Sequence, residues 1–592
     1  MNIPFIAIFL LLLVSLTGGF CDGGRARPVT NGGRDVYLEI MRDSGGAREA
    51  LTAPYAVAET LNFSGVDMQS RGPGGVQSDL SIRGSGFEQP RILLDGIVIN
   101  DPQTGHHNMD LPLPAGVVSA IRVDRTRGGG TVELLTGKPS RGNLSLGVSY
   151  GGFSASGAEL YGYLPAGGAG YLIGASRARS DGYFLSAAGR SINDYDISSF
   201  FTKVFTGSRN PFAPKTVYAG YTAKAFGAYD FYTPYRNFPS RENTKAEFLR
   251  TDFAPADGVS TVIYLRRHKD VFILKDTNPD LYNNTHTSLL GGALAGFSSA
   301  GSGLTFEGVY ESIDSTGTKG GLGNHGRSRV SARGYLDLSI IGADVMPGLK
   351  TEYNDFYGST EILPEFNVSK KVSGSAVVRI SANRSYRLPS YTELYYEDVV
   401  NKGDSSLKKE SSWNYTLGTD FTFGGFLSAV SCDFFVRDEF DLIDWVETQA
   451  GSNKYNAINV GSIRRQGAEL RAAAKVASFT LSAGYNYTEN DVHDYALTAR
   501  NSKYALRNPQ HYVFSGIKTG MPFGVTGSLD AAYKDRKDEK PYTVVSANLG
   551  RKAGNAEVSV RIANLLDEIY EEIPGVVEPG RSAELKISYR IF

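Results

Sequence analysis

The chain has 592 residues, with Gly 69, Tyr 34 and Phe 31 set against Cys 2 and Trp 2, and a formal net charge of −1. Charged residues make up 21% with the two signs nearly balanced, which excludes the basic surface that nucleic-acid binding needs. Cysteines this few and this distant give no disulfide framework, and a composition rich in Gly and Tyr describes strands and turns.

From the N-terminus, residues 3–14 form the longest apolar run, too short for the ~20 residues of a spanning helix. Followed by Ser15, Leu16, Thr17, Gly18 and Gly19, the run reads as the apolar part of a secretory signal peptide, residues 1–21, although no Lys or Arg precedes it. Cys21 leaves lipidation as an alternative, against which the bulky Phe20 argues. Residues 22–43 read as a flexible leader. Within it Asp35, Val36, Tyr37, Leu38, Glu39 and Ile40 make a short extended run. Residues 48–61 have the spacing of a short helix broken at Pro54.

Residues 65–101, GVDMQSRGPGGVQSDLSIRGSGFEQPRILLDGIVIND, are too glycine-rich for a helix but hold three strand-like runs at 75–82, 91–94 and 96–99. Asp95 and Gly96 separate two of them, and Asp-Gly is a dipeptide that tolerates the positive φ angles of a tight hairpin. Residues 102–114, PQTGHHNMDLPLP, read as a loop. Its adjacent His106 and His107 would point to opposite faces of an extended chain, so no shared metal site is expected there. Residues 120–123 and 131–139 are strand-like, joined by DRTRGGG.

The order SIRG (81–84), LLDG (93–96) and IND (99–101), followed by a long β-rich chain, resembles the plug domain of TonB-dependent outer-membrane receptors. The resemblance implies a globular α+β plug at 44–139 inside a 22-stranded antiparallel transmembrane β-barrel at 140–592, an all-β membrane protein with its leader in the periplasm. It implies a TonB box in that leader, a segment that adds as a strand to the energy-coupling protein through backbone hydrogen bonds. Asp35 to Ile40 is the candidate, the first plug strand being the alternative reading. It places Gln103, Thr104, His106, His107 and Asn108 on a plug loop facing outward, where substrate rests. Where the family has an arginine-glycine-proline turn and a longer glycine-rich segment, this chain has only DRTRGGG, which shortens the last plug loop.

From residue 140 onward the pattern changes. Leu144, Leu146, Val148 and Tyr150 alternate with Asn143, Ser145, Gly147 and Ser149, and similar alternation recurs at Phe479, Leu481, Ala483, Tyr485 and Tyr487 and at Val558, Val560 and Ile562. Such strands fit a sandwich or a membrane barrel; aromatic strand ends and long polar loops such as 278–288 favour the barrel. Spread over 22 strands, residues 140–592 allow about 20.6 per strand and loop, enough for a spanning strand of ~9–11 residues, and that strand number goes with a plugged lumen. The segments 385–396, 407–418 and 455–470 also resemble the family, as does the C-terminal stretch with its asparagine-leucine, proline-glycine-arginine and final aromatic. Leu585, Ile587, Tyr589 and Ile591 share a face, with Phe592 out of phase.

Catalytic chemistry finds no foothold: no nucleophile elbow sits in a strand-to-helix setting, and RGPGGV and RGGGTV lack the lysine and helix of a phosphate loop. His268 reads as a solvated loop residue, and Cys432 as a small apolar wall residue. No cofactor is implied, and no spaced oxygen-ligand loop for calcium stands out. Arg71, Arg83 and Arg91, enclosed by a polar wall, are expected to lock to inward barrel carboxylates. The expected function is uptake of a scarce large ligand, cobalamin or a ferric siderophore, with the cobalamin-receptor branch as the nearer resemblance. Expected partners are the TonB complex, outer-membrane lipid and lipopolysaccharide, the barrel-assembly machinery and a small chelate, with the receptor a monomer. The alternative is an adhesin or passive channel that has kept the fold.

Overall fold

A computed structural model describes residues 38–39 and 56–592, apart from 184–191, 234–236, 281–282, 318–319, 448, 450, 453 and 494–501. The signal peptide, Cys21 and most of the leader lie outside the described residues.

The alternating segments form one closed antiparallel barrel. Ser582–Arg590 pairs with Asn143–Gly151, Ile587 lying opposite Val148, and this last pairing shuts the cylinder. Asn324–Tyr335 and the short Leu338–Ile340 both pair with Ala343–Asn354 and occupy one position, so the barrel has 22 strands. The apolar members of each alternation face outward: Leu146, Val148, Tyr150, Phe434, Val558, Val560 and Leu585 are all exposed. The inward members are polar and buried, among them Lys203, Lys224, Arg266, Glu311, Arg327 and Glu352. This is the inverse of a soluble sandwich, and it suits a wall with lipid outside and a wet lumen inside.

The two rims differ. At one, strands are joined by tight turns such as 167–168, 257–258, 300–301 and 477–478; at the other lie the longer connections 228–240, 388–409, 441–461 and 564–581. Both the entry from the plug and the C-terminus reach the short-turn rim, where Phe212, Ile341, Phe426 and Phe523 are exposed. Apolar side chains at that level suit the membrane interface. One expectation needs correction. Residues 283–288 are not loop but the start of the strand Asn283–Ser299. Tyr455–Asn459 pairs with Ile443–Glu447 in a small sheet over the long-loop rim.

The N-terminal domain fills the lumen. Its main sheet has the order Leu38–Glu39, Ala120–Asp124, Thr131–Leu135, Arg91–Leu94, Ile97–Val98, with Arg91–Leu94 and Thr131–Leu135 parallel. The helix Ala56–Asn62 and the hairpin Asp67–Ser70/Ser78–Ser81 complete an α+β plug. Asp95 (φ 49°) and Gly96 (φ 89°) make the tight turn that the sequence signals. Leu61, Val66, Ile82, Ile92, Leu94, Ile121, Val132 and Leu134 form the core, which continues onto Leu172, Phe201 and Tyr218 of the barrel.

Plug and wall are joined by charge, with a polarity only partly anticipated. Arg83 meets Glu469 of the wall at 2.6 Å and Asp433 at 3.6 Å. Arg71 instead bonds Asp79 within the plug, whereas Arg91, exposed along the plug flank, acts electrostatically on the wall carboxylate Glu365. Most anchors run the other way, from plug aspartates to wall cations. Asp67 meets Lys534 at 2.9 Å and Arg536 at 2.8 Å, Asp95 meets Lys203 at 2.8 Å, and Asp101 meets Arg266 at 2.6 Å.

Candidate functional site

The loop after Val98 climbs toward the long-loop rim and is held by its own side chains. Asn100 Oδ1 accepts from Ile92 N–H at 2.8 Å, Asp101 Oδ1 from Gln103 N–H at 2.8 Å, and Thr104 Oγ1 from His106 N–H at 3.4 Å. Thr104 thereby caps a single 3-10 turn, Gly105–His107. Gly105 lies so close to Phe87 that a Cβ there would meet the Phe87 carbonyl oxygen at 2.8 Å.

The loop reaches the long-loop rim, yet Gln103, Thr104, His106, His107 and Asn108 are all buried there. A roof covers them. The short helix Tyr391–Tyr395, capped reciprocally by Ser390 and Glu393, donates Tyr391 N–H to Pro102 O at 3.0 Å and Thr392 N–H to Gln103 O at 2.9 Å. Beneath it a cavity of about 80 Å³ is lined by Gln103, Thr104, His106 and His107 of the plug, by wall residues and by loop residues including Tyr232, Tyr396, Lys503 and Tyr504. Asn108 is not part of that lining; its Oδ1 accepts from Asp101 N–H at 2.9 Å and braces the loop.

The two histidines diverge. His106 stacks on Phe87 with ring centroids 4.1 Å apart, and its Nδ1 lies 3.0 Å from Asp79. Burial pushes it down to about 4, Asp79 opposing, so it is neutral at pH 7. His107 turns toward three carboxylates: Asp110 at 3.6 Å, Asp270 at 3.6 Å and Glu242 at 3.8 Å. Burial alone would lower its pKa, but Asp110 and Asp270, then Glu242, hold it well above the ordinary histidine value. On the loop side, burial pushes the Lys503 ammonium down to about 7, Asp398 opposing.

His268 is not a solvated loop residue. It is fully buried on the inner face of Val259–Ile273, its Nε2 2.9 Å from Asp110 and its Nδ1 3.1 Å from Asp101. Arg266, His268 and Asp270 share that face by strand periodicity, which is the one signal that could have marked them.

A second cavity, about 590 Å³, lies along the plug flank. Its lining extends from Arg387 and Ser390 near the long-loop rim to Lys215 and Asp252 near the short-turn rim, with Gly128 and Gly129 of the shortened plug loop between.

A lipid-facing barrel stopped by a charge-anchored plug, with a roofed polar chamber on one side of that plug, is the architecture of a plugged outer-membrane transporter. The chain belongs to the TonB-dependent receptor family: the family model for the TonB-dependent receptor-like β-barrel matches residues 136–565, and that for the TonB-dependent receptor plug domain matches 54–137. Members of this family are transporters of the outer membrane rather than enzymes. Comparison with curated proteins finds no sequence match. Among solved structures, a ferric enterobactin receptor mutant of Pseudomonas aeruginosa in complex with enterobactin is similar at TM-score 0.72 and 15% identity, over 95% of this chain and 100% of that one. The FrpB iron transporter of Neisseria meningitidis gives 0.68 and 14% over 90% and 96%, and the siderophore receptor PirA of Acinetobacter baumannii gives 0.68 and 14% over 89% and 94%. These likenesses carry the fold.

Proposed function

We propose that the protein takes a scarce metal chelate, of the class that includes ferric siderophores and cobalamin, from the outside into the periplasm. The observation that carries this reading is the pairing of the roofed chamber above the plug with the long cavity beside it. A ligand settles under the loops; the plug then shifts, and the flank cavity widens into a passage. Solved relatives whose names are those of iron and siderophore receptors favour a ferric siderophore over cobalamin as the first chelate to test.

The pull comes from TonB. Leu38–Glu39 pairs with Ala120–Asp124 at the edge of the plug sheet, Leu38 opposite Val123; the other members of the candidate box, Asp35, Val36, Tyr37 and Ile40, lie outside the described residues. An edge strand held by so short a ladder suits exchange onto a partner strand, so the box and first-strand readings are compatible. The test is a growth-rescue panel with cobalamin, haem and several siderophores as sole sources, in cells with and without TonB and with residues 35–40 deleted. Rescue that needs TonB and residues 35–40, with ligand binding retained in the deletion, supports the reading. Equal rescue without TonB would leave a passive channel.

A further inference from the structure

We propose that the chamber at the plug apex is a binding site for a bare divalent transition-metal ion, with His107 Nε2, Glu242 and Asp270 as its ligands. As a statement about cargo this rests on the uptake reading, with a bare ion in place of the chelate; as a statement about binding it stands on the chamber alone.

The three side chains come from three separate elements: the plug turn Gly105–His107, and the neighbouring wall strands Arg241–Ala256 and Val259–Ile273. Their ligand atoms all lie within 4.8 Å of one another, with His107 Nε2 3.6 Å from Asp270 and 3.8 Å from Glu242. Ligands about 2.0–2.2 Å from a tetrahedral zinc are separated from one another by roughly 3.3–3.6 Å, so movements of a few tenths of an ångström along most edges would close the set on an ion. All three are buried and line the same small cavity, and His286 lines it too.

A second, independent observation concerns the hydrogen bonding of the lining. Asp270 Oδ1 is buried without a hydrogen-bond partner, although Oδ2 accepts from Gln103 Nε2 at 3.1 Å. Gln103 Oε1, in the same lining, is also without a partner. A buried carboxylate oxygen without a donor, beside an imidazole and a second carboxylate, is a place that an ion or a water would fill. Wall cations do not take this place: Lys224 is bound to Asp110 at 2.6 Å and Arg266 to Asp101 at 2.6 Å.

The donor chemistry narrows the ion. One imidazole and two carboxylates form a mixed nitrogen and oxygen set, suited to Zn²⁺, Fe²⁺ or Mn²⁺ rather than Ca²⁺ or Cu⁺. Three protein ligands leave a coordination position open, as exchangeable cargo requires and a structural site does not. Glu242 and Asp270 stand on the fixed wall while His107 rides on the plug, so a plug displacement would separate the donors and release the ion.

The experiment uses the full chain, purified in detergent, with Co²⁺ as a spectroscopic probe and Zn²⁺ as competitor. The expected result is one Co²⁺ per chain with the visible bands of a low-coordinate nitrogen and oxygen site, displaced by Zn²⁺. Asp270→Asn and His107→Gln should each weaken binding at least about tenfold, while Asp196→Asn, at an exposed ion pair on the outer wall, leaves it unchanged. Each variant is checked for the heat-modifiable gel shift of a closed barrel. Absence of Co²⁺ binding in a folded wild-type chain, or equal affinity in folded Asp270→Asn, would overturn the site without touching chelate uptake. Binding that survives in a chain whose uptake ignores TonB would uphold the site and remove the uptake reading.

Discussion

Arg83 of the plug and Glu469 of the barrel wall, 386 residues apart in sequence, meet through two hydrogen bonds to one carboxylate oxygen, Nη2 at 2.6 Å and Nε at 3.0 Å. Both side chains are almost fully buried; Thr416 Oγ1 accepts a third bond at 2.9 Å, and the Phe435 ring lies 4.6 Å from the guanidinium carbon. Truncating one partner strands the other charge, at a cost of roughly 3–5 kcal/mol. Arg83→Ala should therefore lower the denaturant midpoint of plug unfolding while the barrel stays closed. Arg83→Ala with Glu469→Ala should recover part of the loss. An Arg83→Ala plug as resistant as wild type would show that the pair does not hold the plug.

The shortened loop 124–130 makes a different prediction. Gly130 has φ +90°, and a Cβ there would meet the Ile82 side chain at 2.6 Å; Gly96 has φ +89° with only Glu133 nearby, at 3.9 Å. Gly96→Ala should cost only backbone strain, on the order of 1–2 kcal/mol. Gly130→Ala adds an overlap within the core and should cost more, roughly another 1–3 kcal/mol. Plug unfolding midpoints for the two variants decide the order, and equal losses would contradict it.

The contrast between these glycines and the apex shows what was legible in the sequence. Asp95-Gly96 could be read because a turn is encoded by the residues that form it, and Leu144 to Tyr150 could be read because a two-residue period repeats locally. The metal-ligand set could not. His107 meets Glu242 and Asp270 only because closure of the barrel brings wall strands more than a hundred residues away around the plug. The misreading of residues 283–288 has a related cause: the start of that strand is polar on both faces, so Asn283, Asn284, Thr285 and His286 look like a loop. The polarity of the plug anchors is only half legible, because arginines in a glycine-rich stretch stand out, whereas Asp67 and Asp95 acquire cationic partners only from the wall.

Glu88 gives a pH prediction. Burial raises its carboxyl, the Glu393 charge raises it further, and Arg387 only partly offsets them, leaving it at about 8. Its Oε1 lies 3.1 Å from Thr104 Oγ1 and 3.3 Å from Ser390 Oγ, where plug meets roof. In the unfolded chain the group ionises near pH 4.3, so between there and pH 8 the folded state holds a proton that the unfolded state has lost. Folding stability therefore falls as pH rises through that window and levels off above it. Glu88→Gln, which carries no charge to bury, should gain melting temperature over wild type from about pH 5 to 8 and hold a constant lead beyond. A lead that shrinks with rising pH would reverse the sign of the argument.

The lipid-facing assignment is open to a direct test at Val148, which lies mid-strand opposite Ala158 and Ile587 and is 57% exposed. Water would tolerate a charge at so exposed a position, whereas hydrocarbon would not: an arginine on the lipid face near the bilayer midplane costs about 2–4 kcal/mol. Refolding into phosphatidylcholine vesicles, with the closed barrel read by its heat-modifiable gel mobility, should give a clearly smaller folded fraction for Val148→Arg than for Val148→Leu. The difference should shrink in short-chain detergent, where the charged group reaches water. If the two variants fold equally well in vesicles, the outward row of Leu146, Val148 and Tyr150 does not face lipid and the wall has been drawn inside out.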